Sequence, residues 1–216
     1  MLDQALLAVY HRQREAAWMG DLVEHIEAAL DEGGLYEKLA RPPAMCFLDL
    51  TGYTKLTEER GDAAAAEMAR SLSTLVSRCA RRHGGEAVKF LGDGVMFYFP
   101  DPGQAVLAAL EMVSSTEAAG LPPAHVGIAA GPVIMQDGDY FGRTVNLASR
   151  IAGKAGSREV LVAREVSETC GELGVDFLDI GVVELKGVSR PVEMFRVVGG
   201  PPRERTPGTD GSSSQD

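Results

Sequence analysis

The chain is 216 residues long, 45% hydrophobic and 24% charged, which suits one sizeable globular domain with extensions. Its formal net charge of −10 disfavours a general nucleic-acid binder, whose phosphate contacts need a basic surface, but leaves room for a single nucleotide carried with metal ions. No run approaches the roughly 20 apolar residues of a membrane span, and the N-terminus lacks a basic segment followed by an apolar one, so the expected location is the cytoplasm.

Residues 1–40 read as a short helical segment. Leu22, Ile26, Ala29 and Leu30 fall on one helical face, and Gly33-Gly34 ends the pattern. The paired prolines Pro42-Pro43 make a linker. "AMCFLDL" follows, a short apolar run of the kind found in buried strands, and "TGYT" comes after it. A helix is expected from Asp62, striped by Met68, Leu72, Leu75, Val76 and Cys79, up to Gly84-Gly85. His83 reads as its C-terminal cap, with no catalytic role. "VKFLGDGVMFYF" is a hairpin hinged on Gly92-Asp93-Gly94. Asp101-Pro102 opens another helix, striped by Val106, Ala109, Leu110 and Val113. "AHVGIAAGPVIM" reads as a strand and a turn, and the chain is helical again from about Thr144. Strands at 160–162 and 192–198 flank a short helix near 165–170. Residues 200–216 are rich in Pro, Gly and Ser and have no core, so a disordered tail is expected. Cys46, Cys79 and Cys170 lie far apart in apolar surroundings and read as buried thiols, not as disulfides or metal ligands.

The order strand–helix–hairpin–helix–strand is a βαββαβ pattern. It predicts an α+β, ferredoxin-like core, an antiparallel sheet with helices on one face, extended by C-terminal strands and a helix. That arrangement sets Asp49, at the end of the first strand, beside Asp93 at the hairpin tip. Two bare carboxylates so close resist joint ionisation, and a divalent cation removes the conflict. Hard oxygen ligands without His or Cys point to Mg²⁺ or Mn²⁺. The backbone amides of Thr51, Gly52, Tyr53 and Thr54 are candidates to cradle phosphate oxygens. Alone, Asp93 is better read as an ordinary turn residue. Lys89, Asn146, Arg150 and Lys186 are each, singly, as well explained as solvated surface charge or polarity.

Taken together and in order, "FLDLTGYTKLTEERGD", "KFLGDGVMF", "DYFGRTVNLASRI" and "ELKGVSRPVEMFRV" resemble the catalytic domain of class III nucleotidyl cyclases, in its short-arm bacterial form. The resemblance covers roughly residues 44–198, within a domain expected at 41–199. It implies that Asp49 and Asp93 hold two metal ions per site, Mg²⁺ or Mn²⁺, with the Leu50 carbonyl a further ligand. It implies that Lys89 and Asp139 read the purine, a pair that favours adenine over guanine. Asn146 is then the residue that orients the ribose, Arg150 the one that stabilises the transition state, and Lys186 the one that grips the triphosphate. "ELKGVSRPVEMFRV" looks like the family's last two strands. The expected activity is an adenylate cyclase converting ATP to 3′,5′-cyclic AMP and pyrophosphate, in a homodimer with shared active sites. The physical reading agrees: Asn146 and Arg150 are four apart on one helix, and a donor–acceptor pair discriminates purine edges by polarity. Three other readings compete. A catalytically silent cyclase-homology module is opposed by the presence of all seven site residues. A guanylate cyclase is opposed by Lys89 with Asp139. A different palm-like nucleotide enzyme is opposed by the "TVNLASRI" helix.

Overall fold

A computed structural model describes residues 42–170 and 174–199. The expectations for residues 1–40 and 200–216 lie outside these. The chain begins with β1 (Ala44–Leu50), α1 (Tyr53–Arg60), α2 (Asp62–Arg82), the hairpin β2 (Glu86–Leu91) and β3 (Gly94–Phe99), α3 (Pro102–Ser115) and β4 (Ala124–Ala130). It continues with β5 (Ile134–Gln136), β6 (Asp139–Phe141), α4 (Arg143–Ala152), β7 (Val160–Ala163), α5 (Arg164–Thr169), β8 (Asp176–Val183) and β9 (Val192–Val198). Seven strands form one sheet in the order β2-β3-β1-β4-β7-β9-β8, while β5 and β6 pair only with each other. The stretch β2-β3-β1-β4 is the ferredoxin-like order that the sequence predicts.

β1 has a partner strand on each side, is fully buried on one face and is partly buried on the other. Ala44, Cys46, Leu48 and Leu50 join a core with Met68, Leu72 and Val76 of α2 and Val106, Ala109 and Met112 of α3. Met45 turns the other way, into a second cluster with Met96, Ala129, Ala148, Ile151 and Met194. Helices α2 and α3 therefore share one face as expected, and α4 covers the opposite one. Gly127 allows this. A Cβ there would meet the Ala152 backbone nitrogen at 2.0 Å and the Ala148 carbonyl at 2.7 Å, so α4 rests directly on β4. A substituted residue would force the helix off the sheet.

The sheet is mixed, not wholly antiparallel. β4 and β7 run parallel, because α4 serves as the crossover between them. β8 was not foreseen. "ELKG" of the motif read as the last two strands is the turn that follows β8, and only Val192–Val198 is strand.

All three cysteines are free and buried. Burial pushes the thiols of Cys79 and Cys170 up to about 11, and that of Cys46 higher still, so they stay protonated and inert. His83 caps α2 as the sequence suggests, but it also ties α2 to α3. Its Nε2 lies 3.0 Å from Glu111 and its Nδ1 lies 3.1 Å from Gln104. Arg82 reaches the other Glu111 oxygen at 2.8 Å. Burial alone would raise the Glu111 carboxyl, but hydrogen bonds from His83 and Cys79 and the Arg82 charge hold it below the ordinary glutamate value. A depressed folded value stabilises the protein above the unfolded pKa of about 4.3 and stops doing so as pH falls through the folded one. Replacing Glu111→Gln should therefore cost about 1 kcal/mol at neutral pH. Urea midpoints should show that gap closing as the pH drops below about 4; a gap that is constant or grows with acid would contradict the clamp.

Candidate functional site

Asp49 lies one residue from the end of β1, on the face that α4 covers, in phase with Met45. The β2–β3 turn brings Asp93 beside it. Gly94, next in the chain, lies against this group: a Cβ there would sit in ordinary contact, 3.4 Å from the Leu48 carbonyl and 3.7 Å from the Asp49 carboxylate. Burial and the Asp93 charge push the Asp49 carboxyl up, while His125 and the Leu50 amide pull the other way. The two carboxylates thus form the repulsive pair that the sequence implies. Among the described residues no third His, Cys, Asp or Glu completes a metal-holding cluster with them. Such a donor set, two hard carboxylates with an open remainder, fits Mg²⁺ or Mn²⁺ whose shell is finished by substrate phosphates and water. The Leu50 side chain is buried in the core, so only its backbone can contribute to the site.

His125 is the residue that sequence reasoning missed. It pairs with Asp49 across the β1–β4 ladder. Its Nε2 lies 3.8 Å from the Asp49 carboxylate and its Nδ1 lies 3.3 Å from the Thr51 hydroxyl. The β1–β4 adjacency implied by the βαββαβ order was the one available signal, and register alone aligned the two residues.

The "TGYT" segment opens α1. The Thr51 amide donates to the Pro123 carbonyl at 2.8 Å, so it is not available to a phosphate. The Tyr53 hydroxyl reaches the Ala65 carbonyl at 3.4 Å and fastens α1 to α2. α1 has no side-chain cap, and the amides from Gly52 through Thr54 lie at its N-terminal end, where intrahelical partners are lacking.

Lys89 and Asp139 form an ion pair, although fifty positions separate them in the chain. A β-bulge makes this possible. Ala87 opposes Phe97 and Lys89 opposes Met96, so Val88 is an extra residue in β2. With regular pairing, Lys89 would face α2 and α3. Opposite Met96 it faces the α4 side, where β5 and β6 also lie. Asp137 (φ 53°) and Gly138 (φ 77°) form the two-residue turn of that small hairpin.

α4 buries Thr144, Ala148, Ile151 and Ala152 and leaves Asn146 and Arg150 exposed on one stripe. The Arg150 guanidinium lies against the turn Leu185–Val188, 3.9 Å from where a Gly187 Cβ would be. Lys186 is exposed on that same turn, which Val188 closes by donating to the Leu185 carbonyl at 3.1 Å. The structure therefore assembles three groups: Asp49 with Asp93, Lys89 with Asp139, and Arg150 with the Lys186 turn. Among the described residues no hydrogen bond or ion pair joins one group to another.

Three comparisons bear on the chain. Residues 35–199 match the family described as the adenylate and guanylate cyclase catalytic domain. An adenylate cyclase of Streptomyces griseus is 37% identical over 162 residues, 74% of this chain and 39% of that protein. One from Streptomyces coelicolor is 36% identical over 168 residues, 77% of this chain and 42% of that protein. The chain thus spans about two fifths of the length of these relatives. Among solved structures, the adenylyl cyclase CyaB from P. aeruginosa matches with a TM-score of 0.67 and 26% identity, over 74% of this chain and 95% of that one.

The carboxylate pair generates a stability test that needs no turnover. In chelator, Asp93→Asn should raise the melting temperature, because it removes a repulsion worth up to about 1 kcal/mol. Adding Mn²⁺ should then stabilise the unaltered protein more than the variant. If Asp93→Asn melts lower in chelator, the two carboxylates do not repel.

Proposed function

The chain belongs to the adenylate and guanylate cyclase catalytic domain family, and from that premise we propose that it cyclises ATP to 3′,5′-cyclic AMP and releases pyrophosphate. The ion pair between Lys89 and Asp139 carries this reading. A cation and an anion meeting on the α4 face of the sheet can bond the acceptor and the donor of an adenine edge; held in that order they are mismatched to guanine, whose edge presents acceptor and donor in the reverse positions. The Streptomyces relatives named as adenylate cyclases support the same substrate. The catalytic domain is residues 41–199, in a cytoplasmic protein that binds no nucleic acid.

The ribose 3′-oxygen attacks the α-phosphorus in line as the bond to pyrophosphate breaks. Two divalent cations per site, Mg²⁺ or Mn²⁺, when bound, acidify the 3′-hydroxyl and neutralise the leaving phosphates. Asp49 and Asp93 would hold these ions, with the Leu50 carbonyl available as a further oxygen. Asn146 orients the ribose. Arg150 supplies positive charge where the pentacovalent phosphorus gathers negative charge. Lys186 grips the triphosphate, and the amides from Gly52 to Thr54, at the N-terminal end of α1, offer it donors.

Purified protein given Mn²⁺ and either ATP or GTP, with cyclic product measured, tests the reading. ATP should be preferred. Lys89→Glu combined with Asp139→Cys should lower turnover of ATP and raise the relative turnover of GTP. Full retention of the ATP preference would sink the base-reading assignment.

The active species is a homodimer with two shared sites. The lack, among the described residues, of any hydrogen bond or ion pair joining the three groups supports this, as do the exposed apolar side chains of Phe90, Leu91 and Met135. In such a dimer the carboxylates of one copy work with the base-reading and α4 residues of the other. Asp49→Ala and Arg150→Ala should each be nearly inactive. Co-expressed, about half the dimers are mixed, and each mixed dimer keeps one intact site of two, so activity should return to roughly a quarter of wild type. No recovery in demonstrably mixed dimers would mean that the residues act within one subunit.

A further inference from the structure

The β5–β6 hairpin carries Asp139, yet it shares no backbone ladder with the seven-stranded sheet. Something other than strand pairing must fix where Asp139 points. At its base, the Thr144 hydroxyl donates to the Pro132 carbonyl at 2.7 Å, closing the loop where α4 begins. That contact anchors the stem but lies distant in sequence from the turn. Nearer the turn, the Tyr140 ring stacks on Tyr98 of β3, with centroids 4.6 Å apart and planes within 9°. The Tyr140 hydroxyl donates to Glu86 of β2 at 3.2 Å. Glu86 and Tyr98 are themselves opposed in the β2–β3 ladder, so one tyrosine grips both strands of the catalytic hairpin. The Tyr140 amide, in turn, donates to the Asp139 carboxylate at 3.0 Å.

We propose that Tyr140 is a positioning residue for base selection: it locks the β5–β6 hairpin onto β2 and β3 so that Asp139 stands at a fixed offset from Lys89. The proposal rests on the adenine-reading role given above to Lys89 and Asp139. Stacking supplies the attraction, and the hydroxyl sets the rotation of the ring about the stack. Burial, followed by the Glu86 contact, pushes the phenol up to about 12, so the hydroxyl remains a donor at any physiological pH. Selectivity by polarity depends on both partners meeting the base edge together. A hairpin free to drift would leave Lys89 and Asp139 able to bond a purine separately, and guanine would then lose less.

The test compares wild type with Tyr140→Leu and Tyr140→Phe. Two readouts need no turnover. Hydrogen exchange at residues 134–141 reports the hold on the hairpin. Calorimetric binding of 3′-deoxy-ATP and 3′-deoxy-GTP with Mn²⁺ reports selection, because neither analogue has the hydroxyl needed to cyclise. Tyr140→Leu should speed exchange in the hairpin, leave exchange in β1 and β4 unchanged, and cut the ATP-over-GTP analogue preference about fivefold to tenfold. Tyr140→Phe keeps the stack and should retain most of the preference. Unchanged hairpin exchange in Tyr140→Leu overturns the lock. Faster exchange with an unchanged preference leaves Tyr140 as structural glue and overturns its part in selection. If wild type binds the ATP analogue but forms no cyclic product from ATP, the catalytic reading has failed and the binding ratio still decides this proposal. If wild type binds neither analogue, the proposal falls together with the base-reading assignment.

Discussion

The two-residue period of β1 organises the molecule. Even-numbered residues from Ala44 to Leu50 are committed to the core beneath α2 and α3. Odd-numbered ones, Met45, Phe47 and Asp49, face the other side. The neighbouring strand obeys the same division, with Val126 and Ile128 on the first face and His125, Gly127 and Ala129 on the second. One face is therefore given to stability. The other holds a smaller apolar cluster bordered by Asp49, His125, Lys89 and the hairpin that carries Asp139. A one-residue slip of β1 would bury Asp49 among the α2 and α3 side chains and move the carboxylate away from Asp93.

Helix α4 completes the second face because nothing separates it from the sheet at Gly127. Its buried residues are small where it touches β4, and its exposed stripe is polar. Contact with the sheet sets the helix's rotation. That rotation in turn decides that Asn146 and Arg150 are exposed, with Arg150 near the Lys186 turn, while Ala148 and Ile151 are inside. Packing and chemistry are here two consequences of one close approach.

Much of this was legible in the sequence. The stripe from Met68 to Cys79, the Asp101-Pro102 start and the Gly92-Asp93-Gly94 hinge are local signals, and each produced the element expected of it. The grouping of Asp49 with Asp93 followed from topology alone. The departures have physical causes. α1 is mostly polar, so it offers no apolar stripe to read. The bulge at Val88 arises from pairing with β3 and leaves no mark on β2 itself, which by simple alternation would have sent Lys89 to the wrong face. The β5–β6 hairpin had a readable turn in Asp137-Gly138, but strands of three residues are too short to show a period. His125 sits next to Asp49 by cross-strand register, a property of two strands and not of either one. Tyr140 acts through Tyr98 and Glu86, more than forty positions away, and no spacing rule links them.

The separateness of the small hairpin has an evolutionary side. Its ladder is its own, so residues added at the Asp137-Gly138 tip do not disturb the register of the seven-stranded sheet. Asp139 and Tyr140 lie on the helix side of that tip, and Tyr140 is fastened to Tyr98 and Glu86. Growth at the tip therefore lengthens an outlying arm while the phase of the residues nearest the helix is conserved. Length at that position is a nearly independent variable of the fold, and a lineage can change how far the arm projects without redesigning what it presents at its root.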